Sequence, residues 1–333
     1  MRRVLVTGAN GFVGSHLVEY LLARGDEVHA MLRSFRSDPA NLAHLDASKF
    51  AIHMADLTDE SAVAGLVKSI QPTHIFHLAA QSYVPVSWEA PHATFTANLN
   101  GTLNLLEAVR RHAPKARVQV AGSSEEYGRV AADECPITED QPLRPLSPYG
   151  VSKVAADALA RQYAASYGLH VVVTRAFNHT GPRRGLVFAE SEWALQIALI
   201  EMGNHDRVIM HGNLDAIRDY TDVRDVVRGY ALALEHGRPG EVYNLCSGPA
   251  QAPRMGEVLE ALITAAAVPI ATKQDPRRMR PSDVQILVGS ATKARRELEW
   301  TPTILFAKTL SDLLQYWRSA VLHATGPTKP VEA

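Results

Sequence analysis

The chain is poor in cysteine: of 333 residues only Cys135 and Cys246 carry a thiol, and no CxxC pair occurs. That excludes a disulfide framework and a cysteine-built zinc site, so no metal is expected, and it suits a reducing compartment. Charge of either sign is not in excess. The formal net charge is −1, which supplies no general pull toward nucleic acid or toward a membrane surface. Long apolar runs are missing too, so no transmembrane helix is expected. The opening "MRRVLVTGANG" runs straight into a strand-like stretch with no signal-peptide pattern, and a cytoplasmic enzyme is the expectation. Internal repeats and low-complexity segments are also lacking. What remains is an ordinary globular balance, 46% hydrophobic and 21% charged.

Short β-rich runs alternate with helical patterns through the first half. "RVLVTG", "DEVHAMLR", "FAIHMADL", "HIFHLAA", "ARVQVAGSS" and "HVVVTRAFN" read as six strands. Between the first two, Val13, Leu17 and Leu21 share a helical face, and Gly25 can end that helix. Strand-helix alternation of this kind implies an α/β fold with a doubly wound parallel sheet. From about residue 178 the pattern loosens, and "EVYNLCSG" reads as one more strand returning to the sheet. The expected division is a dinucleotide-binding domain over 1–177, with elements near 215–247 returning to it. A smaller substrate lobe over 178–322 and a frayed tail over 323–333 complete it.

"TGANGFVG" places Gly8, Gly11 and Gly14 at the first strand-to-helix junction. Glycines there let backbone approach a pyrophosphate, which the free N–H groups of the helix N-terminus then hold. Asn10, Phe12 and Val13 belong to the same loop. The second strand ends "AMLRS". Leu32 stands where an NAD enzyme usually carries an acid for the ribose hydroxyl; Arg33 follows, then Arg36. A guanidinium there pairs with a 2′-phosphate, so NADP(H) is the expected cofactor. Asp56 and Leu57, after the third strand, face the adenine in this reading. Leu78, Ala79 and Ala80, after the fourth, run beside the cofactor.

"SPYGVSK" sets Tyr149 and Lys153 four residues apart on a helix, hence on one face. A neighbouring ammonium is expected to lower the phenol's pKa and bring it nearer neutrality. Ser123 and Ser124 end the fifth strand, where a hydroxyl can hold the oxygen that Tyr149 protonates. Glu125 follows them, and no nucleophile elbow competes for these residues.

Taken in order, "TGxxGxxG", "ADL", "LAAQS", "SSEEYG" and "YGVSK" resemble the extended short-chain dehydrogenase/reductase family over nearly the whole chain. "FNHTGPRRG", "RDYTDVRDVV", "VYNLCSG" and "DPRRMRPSDVQILVGS" resemble its GDP-mannose branch, which holds the 4,6-dehydratases and the GDP-4-keto-6-deoxy-D-mannose reductases that act after them. The resemblance implies NADP(H), a GDP-linked sugar substrate and a homodimer or tetramer, and it assigns a catalytic set of Ser123, Glu125, Tyr149 and Lys153. His179 and Arg184 match residues near the cofactor. Gln81, Ser82, Ser124, Glu125, Asn178, Arg218, Arg280 and Asp283 fall where sugar-nucleotide contacts are expected. Bland readings stand beside these: Arg218 and Asp219 as a surface pair, and Arg277, Arg278 and Arg280 as a solvated basic face.

Glu125 stands where a dehydratase keeps the base that removes the C5 proton. "SSEEYG" also resembles some reductases, so that glutamate does not discriminate. "TGANGFVG", "NHTGP", "RDYTDVRDVV" and "CSG" depart from the dehydratase pattern toward the reductase one, while "PRRG" points back. The resemblance therefore implies reduction of a C4 ketone, with GDP-D-rhamnose as product; dehydration of GDP-mannose is the alternative. An epimerase of the wider family stays open. A non-catalytic cofactor sensor on this fold commonly loses Tyr or Lys, and both remain here.

Overall fold

The computed structural model describes residues 1–34, 40–279 and 284–324. Its centre is a seven-stranded sheet in which every pairing is parallel. The first six strands are β1 (Arg3–Thr7), β2 (Glu27–Leu32), β3 (Phe50–Met54), β4 (His74–His77), β5 (Arg117–Ala121) and β6 (His170–Ala176). Short β7 (Asn178–Thr180), β8 (Val208–His211), β9 (Ile217–Arg218) and β10 (Tyr220–Asp222) follow, then β11 (Val242–Leu245), β12 (Ala271–Gln274) and β13 (Ile286–Leu287). In space the sheet runs β11-β6-β5-β4-β1-β2-β3. The chain thus winds outward from β1 in both directions, and the crevice beyond the C-terminal ends of β1 and β4 is the switch point where such sheets bind ligands.

The strands carry near-continuous apolar runs because both faces are covered. In β6 six successive residues from Val171 to Ala176 are buried. The helices are α1 (Phe12–Ala23), α2 (Glu60–Ile70), α3 (Val84–Glu89), α4 (Pro91–Phe95), α5 (Gly101–His112), α6 (Pro148–Tyr167), α7 (Ala189–Glu201), α8 (Val223–His236), α9 (Met255–Thr264), α10 (Thr292–Leu298) and α11 (Phe306–Ala324). Leu17, Leu21, Val226 and Tyr230 of α1 and α8 pack on one face of the sheet. Val63, Val67, Leu105, Val109 and Ala160 of α2, α5 and α6 pack on the other. A third core joins Trp193, Ile197, Leu259 and Leu313 of α7, α9 and α11.

Each strand read from the sequence enters the sheet, β11 included. The strands end before the quoted runs do: Ala55–Leu57, Leu78–Ala80 and Gly122–Ser124, among others, leave the ladder and turn into the loops that rim the crevice. Helix α11 takes in the first two residues of the expected tail, and 325–333 lie outside the described residues. Among the described residues no helix is long and apolar enough to cross a membrane.

Candidate functional site

The glycine loop is built by what its residues lack. Gly8 has φ +69°, and a Cβ there would lie 2.9 Å from the backbone of Ala79. A Cβ on Gly14 would meet the Gly8 carbonyl at 2.1 Å. Gly11 enters α1 in extended conformation with no side-chain cap, so the first N–H groups of the helix stay open toward the crevice. A pyrophosphate fits this cradle by backbone alone. The Asn10 carbonyl is tied to the Asn41 amide at 3.0 Å, while Phe12 and Val13 are half-buried against the core.

Thr7 and His77 brace the loop from beneath. The Leu78 and Ala79 N–H groups donate to Thr7 Oγ1 at 3.2 and 3.1 Å. That leaves its hydroxyl proton for His77 Nδ1, 3.0 Å away. The Nε2–H of His77 then points to Thr102 Oγ1 at 3.0 Å, and Thr102 donates to the Asn98 carbonyl. Burial pushes the His77 pKa down to about 3, so the ring is neutral and the brace carries no charge. Sequence reasoning passed over His77, although a histidine closing an apolar strand beside a nucleotide loop is a readable signal.

Arg33 is exposed immediately after β2, beside the loop, as a 2′-phosphate contact requires. Arg36 lies outside the described residues. Asp56 accepts from Thr58 N and Oγ1, both at 2.9 Å, and so shapes the turn that delivers Leu57. Leu57 is buried against Gly101, and its carbonyl accepts from Asn104 at 2.8 Å. Leu78, Ala79 and Ala80 are half-buried along the crevice. The Gln81 N–H donates to Asn98 Oδ1 at 2.7 Å; Ser82 is exposed.

The second cluster sits at the ends of β5 and β6. Ser147 caps α6, accepting from Gly150 N at 3.0 Å, and the first turns of α6 bring Tyr149 and Lys153 inward, both buried. Ser123 caps the turn that follows β5, and its Oγ accepts the Glu125 N–H at 3.2 Å. Ser124 is buried and Glu125 half-buried. Burial pushes the Tyr149 phenol well above its ordinary range; the Ser123 hydroxyl, within hydrogen-bonding reach, opposes that rise, and the Glu125 and Glu126 carboxylates add to it. The expected lowering by the neighbouring ammonium is therefore corrected. Lys153 Nζ lies 6.0 Å from the Tyr149 ring centre and donates instead to the Ala121 carbonyl at 2.7 Å. Burial lowers the Lys153 pKa to about 8.

From the opposite wall, β7 presents Asn178, half-buried, and His179. The His179 ring stacks on Phe12 at 6.1 Å, and its Nδ1–H donates to the Phe177 carbonyl at 2.8 Å. Burial and the Arg184 charge lower its pKa to about 4. Arg184 closes this wall, its guanidinium 4.9 Å from the Phe12 ring centre and 3.3 Å from that of Phe188. Its Nε finds no hydrogen-bond partner, and burial lowers its pKa; Glu190 is 3.7 Å away. A buried guanidinium with an open N–H is suited to an anionic ligand.

Arg218 is half-buried on β9, but it does not form a surface pair with Asp219. Asp219 is fully buried and accepts the backbone N–H groups of Ser247, Gly248 and Gly289 at 2.8, 2.9 and 3.0 Å. It staples the "CSG" turn to the stretch just after β13. Arg277 is held by Asp275 and Arg278 by Glu192, so these two cations are already paired. Arg280 and Asp283 lie outside the described residues. Among the described residues no three of His, Cys, Asp and Glu gather as metal ligands.

The GDP-mannose 4,6 dehydratase family model matches residues 5–313. The GDP-6-deoxy-D-mannose reductase of Pseudomonas aeruginosa is 35% identical over 321 residues, 96% of this chain and 98% of that protein. The GDP-mannose 4,6-dehydratase of Yersinia enterocolitica is 34% identical over 369 aligned positions, covering 98% of each. Among solved structures, RMD from Pseudomonas aeruginosa complexed with NADPH superposes with a TM-score of 0.83 at 33% identity, over 96% of this chain and 100% of that one.

Proposed function

The chain belongs to the GDP-mannose 4,6 dehydratase family, and within it we propose an NADPH-dependent reductase that converts the C4 ketone of a GDP-linked 4-keto-6-deoxyhexose to an alcohol, yielding GDP-D-rhamnose. The observation that carries this is the meeting of Ser123, Tyr149 and Lys153 at the edge of a crevice whose glycine loop fits a dinucleotide. NADP(H), when bound, would carry the hydride: NADPH would give it up for good in a reduction, and NADP+ would borrow and return it in a dehydration. Tyr149 is kept un-ionised by burial, which suits a group that donates a proton to the developing alkoxide. Ser123 holds the same oxygen and polarises the carbonyl. Lys153 supplies positive charge beneath the phenol. Gln81, Ser82, Ser124, Asn178 and Arg218 are assigned to the sugar nucleotide, and His179 and Arg184 to the cofactor side.

A dehydratase is the second reading, favoured by Glu125 beside Ser123 and by "PRRG". There Glu125 would take the C5 proton. In the reductase it orients a sugar hydroxyl. The departures in "TGANGFVG", "NHTGP" and "RDYTDV" support the reductase. The test is direct. With the 4-keto-6-deoxy sugar, nicotinamide absorbance should fall in step with product, and GDP-mannose alone should give no turnover. Glu125→Gln should keep most of the activity. Conversion of GDP-mannose with no net change in absorbance, abolished by Glu125→Gln, would replace this reading by the dehydratase.

We further infer a cofactor-binding domain over 1–177, to which elements near 215–247 return, and a substrate lobe mainly over 178–322. A cytoplasmic homodimer through α5 and α6 is supported by the exposure of Leu103, Val151 and Tyr167 on those helices.

A further inference from the structure

A second glutamate lies directly beneath the cluster of Ser123, Tyr149 and Lys153. Glu126 is fully buried. Its Oε1 accepts the Ser123 N–H at 2.7 Å, and its Oε2 accepts Arg175 Nε at 3.0 Å. Arg175, from β6, also donates to Asp157 of α6 at 2.8 Å and to the Tyr127 hydroxyl at 3.1 Å. Tyr127 in turn donates to Asn244 of β11 at 2.6 Å. The carboxylate is therefore fixed from two strands and a helix.

Its place is specific. A Cβ on Gly122 would lie 2.7 Å from Glu126 Oε1, so the carboxylate presses against the peptide stretch Ala121-Gly122-Ser123. One end of that stretch offers the carbonyl to which Lys153 donates; the other carries the Ser123 hydroxyl. Any displacement of Glu126 moves both. The charges match as well. Arg175 and Asp157 pair as guanidinium and carboxylate at 2.8 Å, the condition under which buried charge is tolerated.

We propose that Glu126 is a positioning residue of this active site, gripping the Ser123 backbone so that the Ser123 hydroxyl and the Ala121 carbonyl that receives Lys153 keep their places. The inference rests on the proposed function only for the roles of Ser123 and Lys153 in turnover. The groups that face Glu126 are Lys153, Tyr149 and Asp157 of α6, Arg175 of β6, and Tyr127 on its own turn. Burial pulls the Lys153 ammonium down and the Glu126 carboxylate works against it. Burial first, then Asp157, push the Glu126 pKa up to about 8, against the pull of Arg175 and the Ser123 N–H.

The first test needs no substrate. Glu126→Asp draws the carboxyl back from Ser123, so amide hydrogen exchange at Ser123 should quicken about tenfold while the melting temperature stays unchanged. Turnover then reads the positioning: in the same variant kcat should drop about tenfold while KM stays within about twofold. Glu126→Gln keeps an oxygen acceptor at full reach and should bring kcat back to within about threefold of wild type. A purely structural group would lower the melting temperature and leave kcat of the folded protein unmoved. Wild-type kcat or wild-type Ser123 exchange in folded Glu126→Asp overturns the proposal. If Glu126→Gln does not fold, Glu126→Asp decides alone. A wild-type protein that fails to reduce the 4-keto sugar sinks the functional reading instead, and Ser123 exchange still stands as the test of Glu126.

Discussion

The two halves of the crevice solve opposite problems with opposite materials. At the β1–α1 end the wall is backbone, glycine and neutral side chains: open N–H groups above, Thr7 and an uncharged His77 below. At the β5–β6 end it is buried ionisable side chains, Lys153, Glu126, Arg175 and Asp157, each nine-tenths or more buried. A pyrophosphate brings its own charge and needs donors that cost nothing to leave in water. A proton-transfer site needs charges already in place before the substrate arrives, and burial makes each one strong. Binding is thus written in missing side chains, and chemistry in paired ones.

Substitutions can break that contrast. The largest effect is expected from Tyr149→Phe, which should reduce turnover by about 10²–10⁴-fold while an NADPH titration shows affinity unchanged. Equal losses in both would mean that the two ends are not separate devices. Next comes Gly14→Ala, whose new methyl would lie 2.1 Å from the Gly8 carbonyl. It should cost roughly 2–4 kcal/mol of stability or cofactor binding. Gly25→Ala, at φ +76° but with nothing within 4 Å, should cost only about 1 kcal/mol. Thermal melts with and without NADPH separate the two.

The neutral brace can be read from pH. His77 has a folded pKa of about 3 against roughly 6.5 unfolded. Below the unfolded value the unfolded chain binds the extra proton, so stability is lost as pH falls from about 6.5 toward the folded value. At about pH 5 the loss from this residue is about 2 kcal/mol. His77→Gln should remove that part of the slope in denaturant titrations, and an unchanged slope would show that the ring is not held neutral. An effect about as small as that of Gly25→Ala is expected at the exposed rim. Arg33→Ala should weaken NADPH by about tenfold, roughly 1–1.5 kcal/mol, and leave NADH nearly unaffected. Equal losses for both cofactors would remove Arg33 from 2′-phosphate recognition.

Local signals carried the seven sheet strands, the glycine loop and the Tyr149–Lys153 face, because each depends on neighbours within a few residues: alternation of strand and helix, a turn that forbids Cβ, a spacing of one helical turn. Tyr149's own ionisation was misjudged from the same spacing, since burial outweighs an ammonium that bonds a carbonyl instead. The adjacent Glu125 and Glu126 were indistinguishable in sequence, and attention went to the one that resembled a base. The missed clue was Arg175, a charged residue inside the apolar run "VVVTRA" of a strand covered on both faces. An arginine there demands buried carboxylates, and its partners come from 18 and 49 positions away.

By itself, then, the sequence determined the class of sheet, the glycine loop at its switch point and the shared helix face of Tyr149 and Lys153, all consequences of backbone sterics and short-range periodicity. Which glutamate is buried, that His77 is neutral, and that Asp219 staples three N–H groups instead of pairing with Arg218 were decided by the tertiary structure alone. The physical reason is that desolvation sets the state of a polar group, and desolvation depends on which distant strands and helices close over it.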